Sequence, residues 1–161
     1  VAIARLVDGV PETAALYFPV LDELFSAQRG HGATLNGERL ETRKPNDKQP
    51  FTFFSCCSRT HRGYNVGIKY KTRILGSAAY GLVSVARGSA ALAFEVTPKV
   101  WDFSASWLVT QEAGGLIQSL NDEQVFPLVP GTDYGNKPYP ILAAATPKLQ
   151  AEALNKIKLR V

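Results

Sequence analysis

The chain has no methionine in 161 residues, only two cysteines, and no long apolar run. Without a stretch near the roughly 18 consecutive apolar residues of a membrane span, and without a charged, apolar, then small-residue leader, a membrane helix and a secretory signal are not expected. A cytoplasmic protein is therefore expected. The cysteines are the neighbours Cys56 and Cys57. Neighbouring residues do not readily bridge each other, and two thiols are too few for a secreted disulfide framework. They are expected to be reduced core residues. The missing methionine, together with a first residue already inside the apolar alternation "VAIARLV", leads us to expect a piece of a longer protein.

What is present suits a globular chain. It is 45% hydrophobic and long enough to bury one sizeable core. The net charge is +4. Arg59, Arg62, Lys69, Lys71 and Arg73 form a basic cluster interrupted by the loop-like "GYNVG". Such a cluster raises nucleic acid as a partner. With no zinc-finger spacing or RNP-type aromatic strand beside it, a solvated or polyanion-facing rim is the preferred reading.

Residues 1–40 predict an antiparallel meander: "VAIARLV", the turn "DGVP", "TAALYFP", "ELFSAQ", and "ATLNGERL". Asn36-Gly37 in the last of these is a type I′ hairpin signal. Residues 41–50, "ETRKPNDKQP", are polar and proline-bearing and predict a boundary or linker. The expected division is 1–45, strands that complete another unit, and 46–161, an α/β domain. In the second part "FTFFSCC", "AALAFE", "GLIQSL" and "PILAAA" read as strands, with a helical apolar stripe over 77–87. Another helix runs from Trp101 to Ala113 and stops at Gly114-Gly115; its leading tryptophan is expected to be buried. Thr146-Pro147 opens a last helix expected to reach Leu159. Strands alternating with helices argue for an open, partly parallel α/β sheet.

Two carboxylates stand out from the 14 acidic residues. Glu95 ends an apolar strand and Asp102 begins a helix, so one strand-to-helix connection places both at the sheet edge where ligands bind in open α/β folds. Asp102 has an ordinary alternative, since a carboxylate in a first helical turn stabilises free backbone donors by about 0.3–1 kcal/mol. Ser77, after Gly76 and before Ala78, suits a helix N-cap where small residues let a ligand approach. The "GHG" at 30–32 lacks the third glycine of a nucleotide loop, and neither His31 nor His61 has a nucleophile motif nearby.

Three segments in order, "YFPVLDELFSAQRGHGATLNG", "LGSAAYGLVSVARGSAALAFE" and "VWDFSASWLVTQEAGG", resemble the C-terminal part of the inositol monophosphatase family. The third matches the family's W-D-x-x-A/S…E-A-G-G pattern. The resemblance spans Val1 to about Leu154. It implies the fold of that family and of the sugar phosphatases: an α/β layered sandwich, with an antiparallel meander followed by a mixed, partly parallel sheet flanked by helices. It also implies metal-assisted hydrolysis of a phosphate monoester, with Mg2+ as cofactor. On this resemblance Asp102 is a magnesium ligand, Glu95 contacts substrate hydroxyls, and Gly76, Ser77 and Ala78 line the polyol or sugar side of the pocket. The substrate is then inositol monophosphate or a related small polyol or sugar phosphate, and a homodimer is expected. The family's Glu-Glu and D-P-[ILV]-D-G-T metal segments, which precede the first strand here, do not occur. No catalytic residue is therefore assigned, and the chain in isolation is expected to be inactive without that missing N-terminal segment. The alternative is a non-catalytic interaction module. The first strand is expected to show an unpaired edge and to favour self-association.

Overall fold

The computed structural model describes residues 1–42 and 53–160. The linker expected at 41–50 therefore lies, from residue 43 onward, outside the described residues. Five strands, β1 (Ala2–Val7), β2 (Val10–Phe18), β3 (Glu23–Gln28), β4 (Gly32–Leu35) and β5 (Glu38–Leu40), form the expected meander in the order β1-β2-β3-β4-β5. Each pairs antiparallel with the next. Local chemistry explains the turns. Asn36 and Gly37 both have positive φ, 51° and 83°, as a type I′ turn requires. The Asn36 side chain accepts from the Leu24 N–H at 2.7 Å, which ties the hairpin to β3. In β2 the alternation is plain: Ala14 and Leu16 are buried while Ala15 and Tyr17 face outward.

The second sheet comprises β6 (Phe53–Cys56), β8 (Thr72–Arg73), β9 (Ala90–Glu95), β10 (Leu116–Ser119) and β11 (Ile141–Ala144), in the order β10-β11-β9-β6-β8. β6 runs parallel to both β8 and β9, whereas β11 runs antiparallel to β9 and β10. The sheet is thus mixed, as expected. Short pieces were not foreseen: α1 (Thr60–Gly63), β8, and a two-stranded sheet of β7 (Tyr64–Val66) with β12 (Ile157–Leu159). That small sheet corrects the C-terminal helix. α4 (Pro147–Lys156) starts at the expected cap, Thr146, but ends at Lys156 because Ile157 is buried and pairs with Val66.

Two central helices, α2 (Ala78–Ala86) and α3 (Val100–Glu112), lie between the sheets. Val83, Ala86, Ala105, Leu108 and Val109 pack with Leu16 and Phe25 of the meander. Leu82, Val85, Val100 and Phe103 pack with Phe54, Leu92 and Phe94 of the mixed sheet. A helix sandwiched in this way must be apolar on both sides, and "AAYGLVSVA" is. Polar ties also join the layers. Glu23, 8% exposed, pairs with Arg87 at 2.5 Å and accepts from the Tyr80 hydroxyl at 3.4 Å.

The "GHG" loop has a structural use. The Gly30 and Gly32 N–H groups donate to the two oxygens of Glu112, at 2.9 and 2.8 Å, clamping the β3–β4 turn to the end of α3. Hydrogen bonds to a charged acceptor contribute more than neutral ones, so Glu112→Ala is expected to cost about 2 kcal/mol in urea unfolding. An unchanged midpoint would show that the clamp contributes nothing. Among the described residues, no helix is long and apolar enough to cross a membrane.

Candidate active site

The parallel pair β6 and β9 carries the site. Six consecutive residues of β9 are buried, and Glu95 is the last of them. Cys56 at the end of β6 stands opposite Phe94, and the Cys57 N–H donates to the Phe94 carbonyl at 3.3 Å, so both strands end at one edge. α2 begins over that edge. Ser77 is its N-cap, accepting from the Tyr80 N–H at 3.3 Å, and Gly76 before it takes φ 75° to turn the chain in.

These elements enclose a cavity of about 200 Å3 lined by Gly76, Ser77, Ala78 and Glu95, with Cys56, Cys57, Ser58 and Ile74 completing the wall. Four of the five residues singled out from the sequence therefore meet in one place. Glu95 is 6% exposed, and among the described residues no hydrogen bond or ion pair reaches its carboxyl group. Burial without a partner disfavours the charged form and pushes its pKa up from 4.5 to about 7. Beneath it is Gly81 of α2, where an added Cβ would stand 3.0 Å from Glu95 Oε1 and 2.8 Å from Ser55 Oγ. Ser55 Oγ is itself buried and unpartnered among the described residues. Sequence reasoning did not flag Ser55 or Gly81, because only strand pairing and helix packing bring them under the carboxylate.

Asp102 is half-buried and is not among the residues lining that cavity. It sits in the first turn of α3, where Oδ2 accepts from the Lys99 N–H at 2.7 Å while the Asp102 N–H donates to the Lys99 carbonyl at 2.9 Å. The helix-capping role weighed from sequence is thus present. Oδ1 has no donor among the described residues, so a hard carboxylate oxygen remains open to a cation. No group of three or more His, Cys, Asp or Glu able to hold a metal occurs among the described residues. The preceding Trp101 departs from expectation: it is 59% exposed, beside a shallow apolar groove with Ile3 and Leu128. Its neighbour Phe103 takes the core position instead.

The family model described as "Inositol monophosphatase family" matches residues 1–158. The chain belongs to the inositol monophosphatase family. A curated member, the Nus factor SuhB of Pasteurella multocida, is 34% identical, with 98% of this chain and 59% of that protein covered. The chain spans little more than half the length of the curated relatives it matches. Among solved structures, a Pyrococcus horikoshii protein described as having similarities for inositol-1 monophosphatase superposes with a TM-score of 0.76 at 25% identity, covering 92% of this chain and 58% of that one. An IMPase/NADP phosphatase complexed with Mg2+ and phosphate shares the fold, with a TM-score of 0.75 at 19% identity and coverage of 94% and 56%. Membership accounts for the two-sheet architecture of this chain.

Proposed function

We propose that the protein carrying this chain is a magnesium-dependent phosphomonoesterase acting on inositol monophosphate or a related small polyol or sugar phosphate. The observation that carries the reading is the buried, unpartnered carboxyl of Glu95 in a cavity at the start of α2. A buried polar group without a partner is costly, and a substrate hydroxyl in the cavity would supply the missing hydrogen bond. With a pKa near 7, Glu95 offers either an acceptor oxygen or a donor proton at neutral pH. Gly76, Ser77 and Ala78 also line this cavity and bound the space left for the carbon ring.

Asp102 is the proposed magnesium ligand through its open oxygen, with the remaining ligands supplied from outside the described residues. Magnesium, when bound, supplies Lewis acidity toward the phosphoryl oxygens and the attacking water. The Mg2+ named with the solved IMPase/NADP phosphatase supports this cofactor. A dimer of a cytoplasmic enzyme completes the proposal. The second reading, a protein-binding module, is favoured by exposed Ile3 and Trp101, at 63% and 59%, along the edge strand β1 and its groove.

The test is phosphate release from inositol 1-phosphate by the intact protein, with and without magnesium. Asp102→Asn keeps an oxygen to accept from Lys99 and so keeps the cap, but loses the charge. It is expected to lower activity by more than the roughly 10- to 100-fold lost when an outer-sphere partner of a metal site is removed, with stability nearly unchanged. Unchanged magnesium-dependent activity in that variant would confine Asp102 to capping. No phosphate release by the intact wild type would favour the protein-binding module.

A further inference from the structure

Two adjacent thiols border the cavity in different surroundings. Cys56 is the last residue of β6 and 1% exposed, and burial pushes its thiol up to about 11. Cys57 lies just past the strand end and is only half-buried, with Sγ 3.4 Å from the Thr60 hydroxyl. It shares the cavity wall with Glu95, Gly76 and Ser77. A thiol alone would not mark a site. The second observation is Glu95, more than nine-tenths buried and without a partner among the described residues, which points to a ligand in the cavity.

The segment that carries the thiol is basic, and Glu95 is the carboxyl in the cavity wall. From residue 48 to residue 94 the sequence has no Asp or Glu. Arg59, His61 and Arg62, all exposed, follow Cys57 closely, and Arg59 reaches Thr97 beyond β9 at 3.4 Å. The exposed guanidinium groups of Arg59 and Arg62 attract anionic reactants.

We propose that Cys57 is a thiolation site: it exchanges with an anionic low-molecular-weight disulfide, and the adduct plugs the Glu95 cavity. The Cys57 thiolate sulfur attacks one sulfur of the disulfide. A new S–S bond forms as the old one breaks, and the departing thiolate leaves with the electron pair and takes up the proton that Cys57 lost. Cys57 is oxidised and the departing half is reduced, so no further oxidant is needed. A small thiol reverses the step. Only the consequence for catalysis, a reversible block on substrate entry, rests on the phosphatase reading.

The experiment treats the intact protein with glutathione disulfide and maps the adduct by tandem mass spectrometry, in the wild type and in Cys57→Ser and Ala78→Phe. Cys57 is expected to react at least about tenfold faster than Cys56, whose high pKa leaves little thiolate. Ala78→Phe adds a ring to the cavity lining and is expected to slow Cys57 at least about tenfold by crowding the cavity. A variant that had lost its fold would instead expose both thiols and speed Cys56. Equal rates at the two cysteines in the wild type overturn the site. A Cys57 rate unaltered in folded Ala78→Phe overturns the plugging of the cavity. Phosphate release is measured separately: if Cys57 reacts as expected but the unmodified protein hydrolyses nothing, the phosphatase reading falls and the thiolation site stands.

Discussion

Glu95→Gln is expected to flatten a pH dependence of stability that the wild type carries between about pH 4.5 and pH 7. The folded-state pKa is about 7 because the carboxyl is desolvated, against 4.5 for the ordinary group. Between those values the folded chain holds a proton that the unfolded chain has released. Stability therefore falls as pH rises through this window and levels off above it, by roughly 3 kcal/mol in total. The sign is opposite to that of a carboxylate held by a cation, whose contribution is lost on acidification. Glutamine is nearly isosteric and never ionises, so urea midpoints of the variant at pH 5 and pH 8 should differ less than those of the wild type. Equal pH slopes would mean that Glu95 is hydrated or paired in solution, and the case for a ligand cavity would weaken with it. The same energy bears on binding. A hydroxyl that satisfies Glu95 relieves part of the desolvation cost, so specificity for a hydroxylated substrate rests on a group the empty protein holds at a disadvantage.

Gly9→Ala is expected to be the most damaging single-methyl change among the turn glycines, at about 3 kcal/mol or more in urea unfolding. Gly9 sits between β1 and β2 with φ 76°. A Cβ there would stand 2.1 Å from the Leu128 carbonyl oxygen and 2.8 Å from the Leu128 nitrogen, and neither backbone atom can swing aside as a side chain would. Moving that segment breaks the 2.7 Å bond from the Leu128 N–H to the Gly9 carbonyl. Gly37→Ala is the control. Gly37 also has positive φ, 83°, but nothing lies within 4 Å of its added Cβ, so only the left-handed backbone cost of about 1 kcal/mol applies. Equal losses in the two variants would show that the contact between the β1–β2 turn and Leu128 does not form in solution.

By itself the sequence determined the elements whose chemistry is local. The Asn36-Gly37 turn, the Ser77 and Thr146 caps, and the glycine stop at Gly114, with φ 83°, depend on neighbours a few residues away, and each is found as expected. The alternation of β2 and the unbroken apolar run of β9 likewise announced one buried face and two. Tertiary structure decided the rest, because the deciding partners are far apart along the chain. Strands as short as β7 and β12 carry too little pattern to be seen alone, and β12 exists only because it pairs with residues 64–66. Glu112 looked like part of a motif until the loop at Gly30 and Gly32 closed on it across 80 residues or more of sequence. Trp101 and Phe103 are both aromatic, and only the packing of α3 between two sheets sent Phe103 inward and left Trp101 exposed. Glu95 could be picked out as a carboxylate at a strand end, but its isolation could not. That arises where the ends of β6 and β9, the start of α2 and Gly81 close around the carboxyl without offering it a donor.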